Sequence, residues 1–254
     1  NRGRLAVLHT QQAAARHTAC ERVMRKRHSG FGLIELMIAM VLGLLLVLGM
    51  TQVFLSARQT SLAQSASAQL QEDARYVLSK IAQEIRMAGM FGCLPVNHII
   101  DAPAAFATPV SWQGTSSSGA LHMVCADVGP QSGKPDWTVV TDCKHHAQVF
   151  AGAQAEWGPG ETGFAVRRVT YRFEQGQLKS GLSNTVLLDN VAAFEVSFGV
   201  SGSASTHPVV RYESRPADAT SIRSVRLALT LRDPGARVKD QTYHVLVAVR
   251  NRQG

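Results

Sequence analysis

Residues 31–55 form a run of 25 residues whose only charge is Glu35, and residues 36–50 are apolar or glycine throughout. About 20 such residues span a bilayer as a helix. A membrane-anchored protein is therefore expected, with the span at residues 31–55. Glu35 is the exception that needs a reason. A carboxylate held at depth in a membrane helix costs about 2.5–3.5 kcal/mol on insertion scales. It persists where a cation meets it, or where it snorkels to the headgroups as side chains near helix ends do.

The formal charge of +8 suggests nucleic acid until it is divided along the chain. Residues 1–30 carry seven bases (Arg2, Arg4, Arg16, Arg22, Arg25, Lys26, Arg27) and one acid, Glu21, for a net of +6. Residues 31–254 carry 19 bases and 17 acids, a net of +2. Positive charge flanking a span stays cytoplasmic, so the chain from Ser56 onward is expected outside the cytoplasm. Charge alone leaves no nucleic-acid footprint on that remainder. Residues 1–23 show no apolar period, and Met24 offers an alternative start, giving the basic leader "MRKRHSG". Everything up to Gly30 reads as a targeting segment that lies outside the fold.

No proline occurs before Pro95, so one helix can run on past the membrane. In "QLQEDARYVLSKIAQEIRMAG" the apolar positions Leu70, Ala74, Val77, Leu78, Ile81, Ile85 and Ala88 recur in steps of three and four, a single stripe. Glu72, Asp73, Lys80 and Glu84 lie off it. Gly89, Gly92 and Pro95 form the stop. Residues 33–88 at about 1.5 Å each would make a rod of roughly 85 Å. The membrane half is thus followed by an amphipathic half at residues 56–89. The stretch between them, "SARQTSLAQSASAQ", is polar and alanine-rich.

From residue 90 to 254 the pattern turns to strands. "WTVVTDC", "FAVRRVTYRFEQGQLKS", "NTVLLDNVAAFEVSFGV", "IRSVRLALTLRD" and "QTYHVLVAVRNR" are rich in β-branched and aromatic residues, and glycine-, serine- and proline-rich loops separate them. "FEQGQL" reads as a hairpin turn. The expectation is an α+β fold: an antiparallel sheet, or two, with the amphipathic half of the helix packed on one face.

"SGFGLIE" now acquires a meaning. Bases, then a Gly30–Phe31 junction, then an apolar run with an acid at its fifth residue resemble the type IV prepilin signal. That resemblance implies cleavage between Gly30 and Phe31 by a prepilin peptidase, N-methylation of Phe31, and an assembly role for Glu35. Cleavage would create the missing cation, the amino group of Phe31, on each helix and on its neighbours. "IAQEIRMAGMFGC", "VVTDCKHHAQVF", "VLLDNVAAFEVSFGV", "VRLALTLR" and "VAVRNR" look like the PilW family of type IV pilus minor pilins. The GspJ minor pseudopilins of type II secretion share the layout. The resemblance implies a type IV pilin-like fold and an inner-membrane protein with a periplasmic domain that enters the pilus. It implies as partners other minor pilins, the major pilin, the inner-membrane assembly platform and a tip adhesin. It implies no cofactor, no metal and no catalytic residue. Abundant pilins often carry a proline partway along the helix; here only Gly43 and Gly49 loosen it, at roughly 1 kcal/mol each.

Of four cysteines, Cys20 precedes the span. Cys93, Cys125 and Cys143 follow it and would meet an oxidising compartment, where one pair can bond. The PilW-like pattern implies Cys93 with Cys143; Cys125 with Cys143 remains open on sequence alone. A loop of about 50 residues closed in this way is worth roughly 4 kcal/mol on the chain-entropy account.

Several patterns suggest chemistry and are better read as structure. "GPGETG" (residues 158–163) fits G-x-G-x-x-G, but Pro159 sits inside it and a strand, not a helix, follows. His145 and His146 beside Cys143 suggest a metal, yet consecutive strand residues point to opposite faces. Arg167, Arg168 and Arg172 have Glu161 and Glu174 nearby, which favours a solvated strand face over an anionic partner. No acid–base or nucleophile constellation has a spacing that singles it out.

Overall fold

The computed structural model describes residues 30, 32–126, 134–154, 156–181, 184–202 and 208–249. The chain divides into two compact units at Val53/Phe54. The helix α1, Leu33–Met87, passes through that boundary without interruption, as expected of a chain with no proline before residue 95.

In the first unit, α1 is apolar on every side. Each large apolar residue from Leu33 to Val53 is at least 50 % exposed in the isolated chain. A helix that is apolar all round must be covered by lipid or by other helices.

In the second unit, α1 becomes amphipathic in the register that the periodicity predicts. Leu70, Ala74, Val77, Leu78, Ile81, Ile85 and Ala88 are all buried, and Ala66 and Ala82 join them. Burying each of the larger ones is worth about 1.5–3 kcal/mol relative to exposure. The polar stretch at residues 56–69 stays largely exposed. The helix ends where glycine permits it: Gly89 takes φ 78°, a left-handed conformation that costs other residues dearly. Its N–H donates to the Val124 carbonyl at 3.0 Å, and Ala126 N–H donates to the Met90 carbonyl at 3.0 Å. The chain leaving the helix is thus zipped onto a strand at once.

Two sheets meet this helix. The larger has the order β1 (Ile99–Ile100), β5 (Ala147–Ala151), β4 (Trp137–Thr141), β6 (Thr162–Glu174), β3 (Gly119–Ala126), β2 (Val110–Gly114). A short helix α2, Ala104–Ala107, lies between β1 and β2. β7 (Gln177–Ser180) pairs with the far end of β6, and β8 (Thr185–Leu188) pairs with β7. The "FEQGQL" turn is a hairpin in which Glu174 opposes Gln177. Gln175 and Gly176 both have positive φ, 53° and 73°, as a tight two-residue connection demands. One pairing departs from the antiparallel expectation: β1 runs parallel to β5.

The smaller sheet is antiparallel, in the order β10 (Val209–Glu213), β9 (Val191–Ser201), β11 (Ile222–Leu231), β12 (Gln241–Ala248). Alternation sets its faces: Phe194, Val196 and Phe198 on β9 and Val225, Leu227 and Leu229 on β11 are buried. They share one core with the α1 stripe and with Trp112, Leu121, Met123, Tyr171, Phe173 and Leu178 of the larger sheet. Trp112 meets Phe194 edge-on at 5.6 Å, joining the two sheets. A second cluster, Phe91, Ile99, Phe106, Val124, Val139, Ala147 and Val166, lies at the other end of the larger sheet. This is an α+β, pilin-like arrangement of a long amino-terminal helix followed by a mixed β domain.

Candidate functional site

Gly30 is exposed, and Phe31 lies outside the described residues, as do residues 1–29. The helix begins immediately afterwards: Glu35 N–H and Leu36 N–H donate to the Gly32 carbonyl at 3.0 and 3.2 Å. Glu35 therefore stands in the first turn of α1, fully in the exposed class. The sequence marks it as a lone charge in an apolar run and, by the prepilin resemblance, as the assembly residue. Its place adds a second physical term, because the unpaired N–H groups of a first turn favour a carboxylate by about 0.3–1 kcal/mol. That is smaller than the cost of burying the charge in lipid, about 2.5–3.5 kcal/mol, so the helix terminus alone does not offset it.

Cys93 and Cys143 are joined, with Cα atoms 5.3 Å apart across 50 residues. Each partner is placed by local chemistry. Cys93 follows the helix stop, and Cys143 sits at φ 57° on the β4–β5 turn. That turn is held by Asp142, whose Oδ1 accepts the N–H groups of Lys144, His145 and His146, each at 2.9 Å. These backbone donors hold the Asp142 carboxyl well below the usual carboxylate range. Cys125 is buried on β3 and is not in a disulfide; it lies opposite Ala88 in an isolated bridge that also ties the helix end to the sheet.

The remaining motifs resolve into structure. His145 and His146 stand on the Asp142-capped turn, not on a strand, so the opposite-faces argument does not apply to them. Among the described residues no group of three or more histidine, cysteine or acidic side chains is placed to hold a metal. "GPGETG" opens as a turn in which Glu161 accepts the Gly158 N–H at 2.7 Å, and its last two residues, Thr162 and Gly163, already belong to β6. Arg168 lies 5.2 Å over the Trp137 ring while its backbone N–H donates to Asp136 at 2.8 Å. Arg172 donates to Asn184. Arg168 and Arg172 thus engage the sheet's own surface.

Two features escaped sequence reasoning. Tyr171 is wholly buried beneath α1, and burial, followed by the charge of Glu84, pushes its phenol far above the ordinary range. Asp233, at the β11–β12 connection, is almost completely buried and takes two bonds from the Arg237 guanidinium, at 2.6 and 2.9 Å. An Asp four residues before an Arg across the turn sequence "DPGAR" was the available signal.

Residues 25–51 match the family model for the prokaryotic N-terminal methylation motif. No curated protein and no solved structure matches the chain. The matched stretch covers the basic flank, the Gly30–Phe31 junction, Glu35 and most of the apolar run. Together with the one helix among the described residues that is long and apolar enough to cross a membrane, it supports a type IV pilin-like or pseudopilin protein. A protein of this class works with other pilins and is handled by a prepilin peptidase.

Proposed function

We propose that the protein is a minor pilin of a type IV pilus, cut between Gly30 and Phe31 and N-methylated on Phe31. In this reading residues 31–55 hold it in the inner membrane, residues 56–89 form the amphipathic periplasmic half of the helix, and residues 90–254 form the globular domain. Glu35 pairs with the amino terminus of a neighbouring subunit and sets the axial register. The protein then joins other minor pilins in a complex that primes assembly and displays a tip adhesin. Its work is packing and register, not catalysis. PilW-type minor pilins are the particular group proposed.

The observation that carries the reading is the methylation motif at residues 25–51 opening directly into a fully exposed apolar helix with one acid in its first turn. A helix apolar on all sides needs neighbours, and one charge of fixed position needs a counter-charge of fixed position. The same features would serve a minor pseudopilin of type II secretion, so the deciding experiment has two arms. Mass spectrometry of the mature protein is expected to find N-methylphenylalanine from Phe31 at its terminus; any other terminus refutes the processing. Deletion is expected to abolish pili and twitching while leaving secretion intact; the opposite pattern assigns the secretion machine.

A further inference from the structure

Beside the packed stripe of α1 runs a groove whose other wall is the outer edge of β12. It holds about 380 Å³ and is lined by Gln71, Arg75, Leu78, Ser79, Ala82 and Arg86 on the helix and Tyr243, His244 and Val245 on the strand. β12 pairs with β11 along its whole length, and among the described residues nothing pairs with its other edge. An edge of this length with free N–H and C=O groups is a template for another strand. Native edges are commonly blunted by lysine, proline or a bulge. β12, "QTYHVLVA", has neither residue and no bulge in its register.

The helix wall says what chemistry such a strand would carry. Leu78 and Ala82 form an apolar floor. Arg75 and Arg86 stand at either end of it, both exposed, and neither has an acidic partner among the described residues. They are three helical turns apart on nearly the same face, so their Cα atoms are separated by about 16 Å along the axis. Positions i and i+4 of an extended chain lie about 13 Å apart on one face, with i+2 between them. Two flexible arginines bridge the difference. We infer that the groove takes an extended segment of a partner protein by β-strand addition to β12, reading acid–apolar–acid at alternate positions. A second copy of this chain does not fit, because nowhere in its sequence do two acidic residues stand four positions apart. The partner is therefore a different protein.

The test uses the full-length protein in detergent micelles and a fluorescent heptapeptide, Thr-Glu-Thr-Val-Thr-Glu-Thr, read by anisotropy. Two isomers of the peptide are N-methylated at alternate amides, one on each edge, so that each blocks one line of strand pairing. The parent peptide is expected to bind and one isomer to lose binding while the other keeps it. Lysine in place of both glutamates, or Arg75→Glu with Arg86→Glu in the protein, is expected to weaken binding by about tenfold or more. Absence of binding by the parent peptide overturns the proposal. So does equal binding by both methylated isomers, which would reduce the groove to a charge patch, as would displacement of all three peptides alike by heparin. Unchanged affinity in the double arginine variant, with its circular dichroism intact, overturns the assignment of the helix wall.

Discussion

Replacing Ile81 by alanine tests whether the second half of α1 is the core of the β domain rather than a rod that touches it. Ile81 is 0 % exposed and sits in the middle of the stripe that meets both sheets. The substitution removes three carbons, worth about 2.4 kcal/mol at about 0.8 kcal/mol each. The cavity left among rigid neighbours adds to this, and buried isoleucine-to-alanine changes run from about 2 to 5 kcal/mol. A loss of about 3 kcal/mol is expected here. For a domain of this size each kcal/mol moves the midpoint by about 2–4 °C, so Tm should fall by about 6–12 °C. Urea unfolding of the full-length protein in detergent, followed by tryptophan emission, reads it, because Trp112 lies in the same core. Tyr76→Ala, on the same helix but 59 % exposed, is the control and should cost less than about 0.5 kcal/mol. If the two variants unfold at the same urea concentration, the helix contributes no core and the argument from periodicity to packing is wrong.

Glu35→Ala should reduce recovery of partner pilins on the processed protein and lower its entry into pili, with the domain's unfolding midpoint unchanged; wild-type recovery would refute the pairing. Cys93→Ser, Cys143→Ser and the double variant should each lose about 4 kcal/mol on the chain-entropy account, measured by denaturant unfolding, whereas Cys125→Ser should leave non-reducing mobility unaltered. The Arg237 guanidinium holds Asp233 below its ordinary 3.8, so its contribution to stability is present above that value and fades as pH falls toward the depressed folded one. The stability gap between wild type and Asp233→Asn should be widest near neutral pH and close steadily below about pH 4; a gap independent of pH would show that the ion pair is not its source.

The stripe on α1 was legible because helical burial leaves a period of 3.6 that survives in the order of residues. The helix stop was legible because glycine at Gly89 answers a local backbone demand. Strands with strong alternation, β6, β9, β11 and β12, could be read for the same reason. β2, β3, β5 and β10 were not singled out, and β1 is two residues long. "VSWQG", "AQVFA" and "VVRYE" are too short for alternation to stand out, and they become strands through their neighbours. Gly30 and Glu35 could be picked out because the signal is contiguous. The β12 groove was invisible, since Arg75 and Arg86 become one site with Tyr243 and Val245 only when residues some 170 positions apart are brought together.

What sequence alone determined, then, is everything that depends on neighbours along the chain: the apolar run, its lone acid, the basic flank, the helical stripe and its end. Only tertiary structure decided which strands join which sheet, that β1 runs parallel to β5, that Cys93 rather than Cys125 meets Cys143, and that one edge strand is left open beside two arginines. The physical reason is that local propensities act over a few residues, while strand partners and side-chain neighbours are chosen by burial of a shared core. That choice is made among surfaces that exist only once the chain has closed on itself.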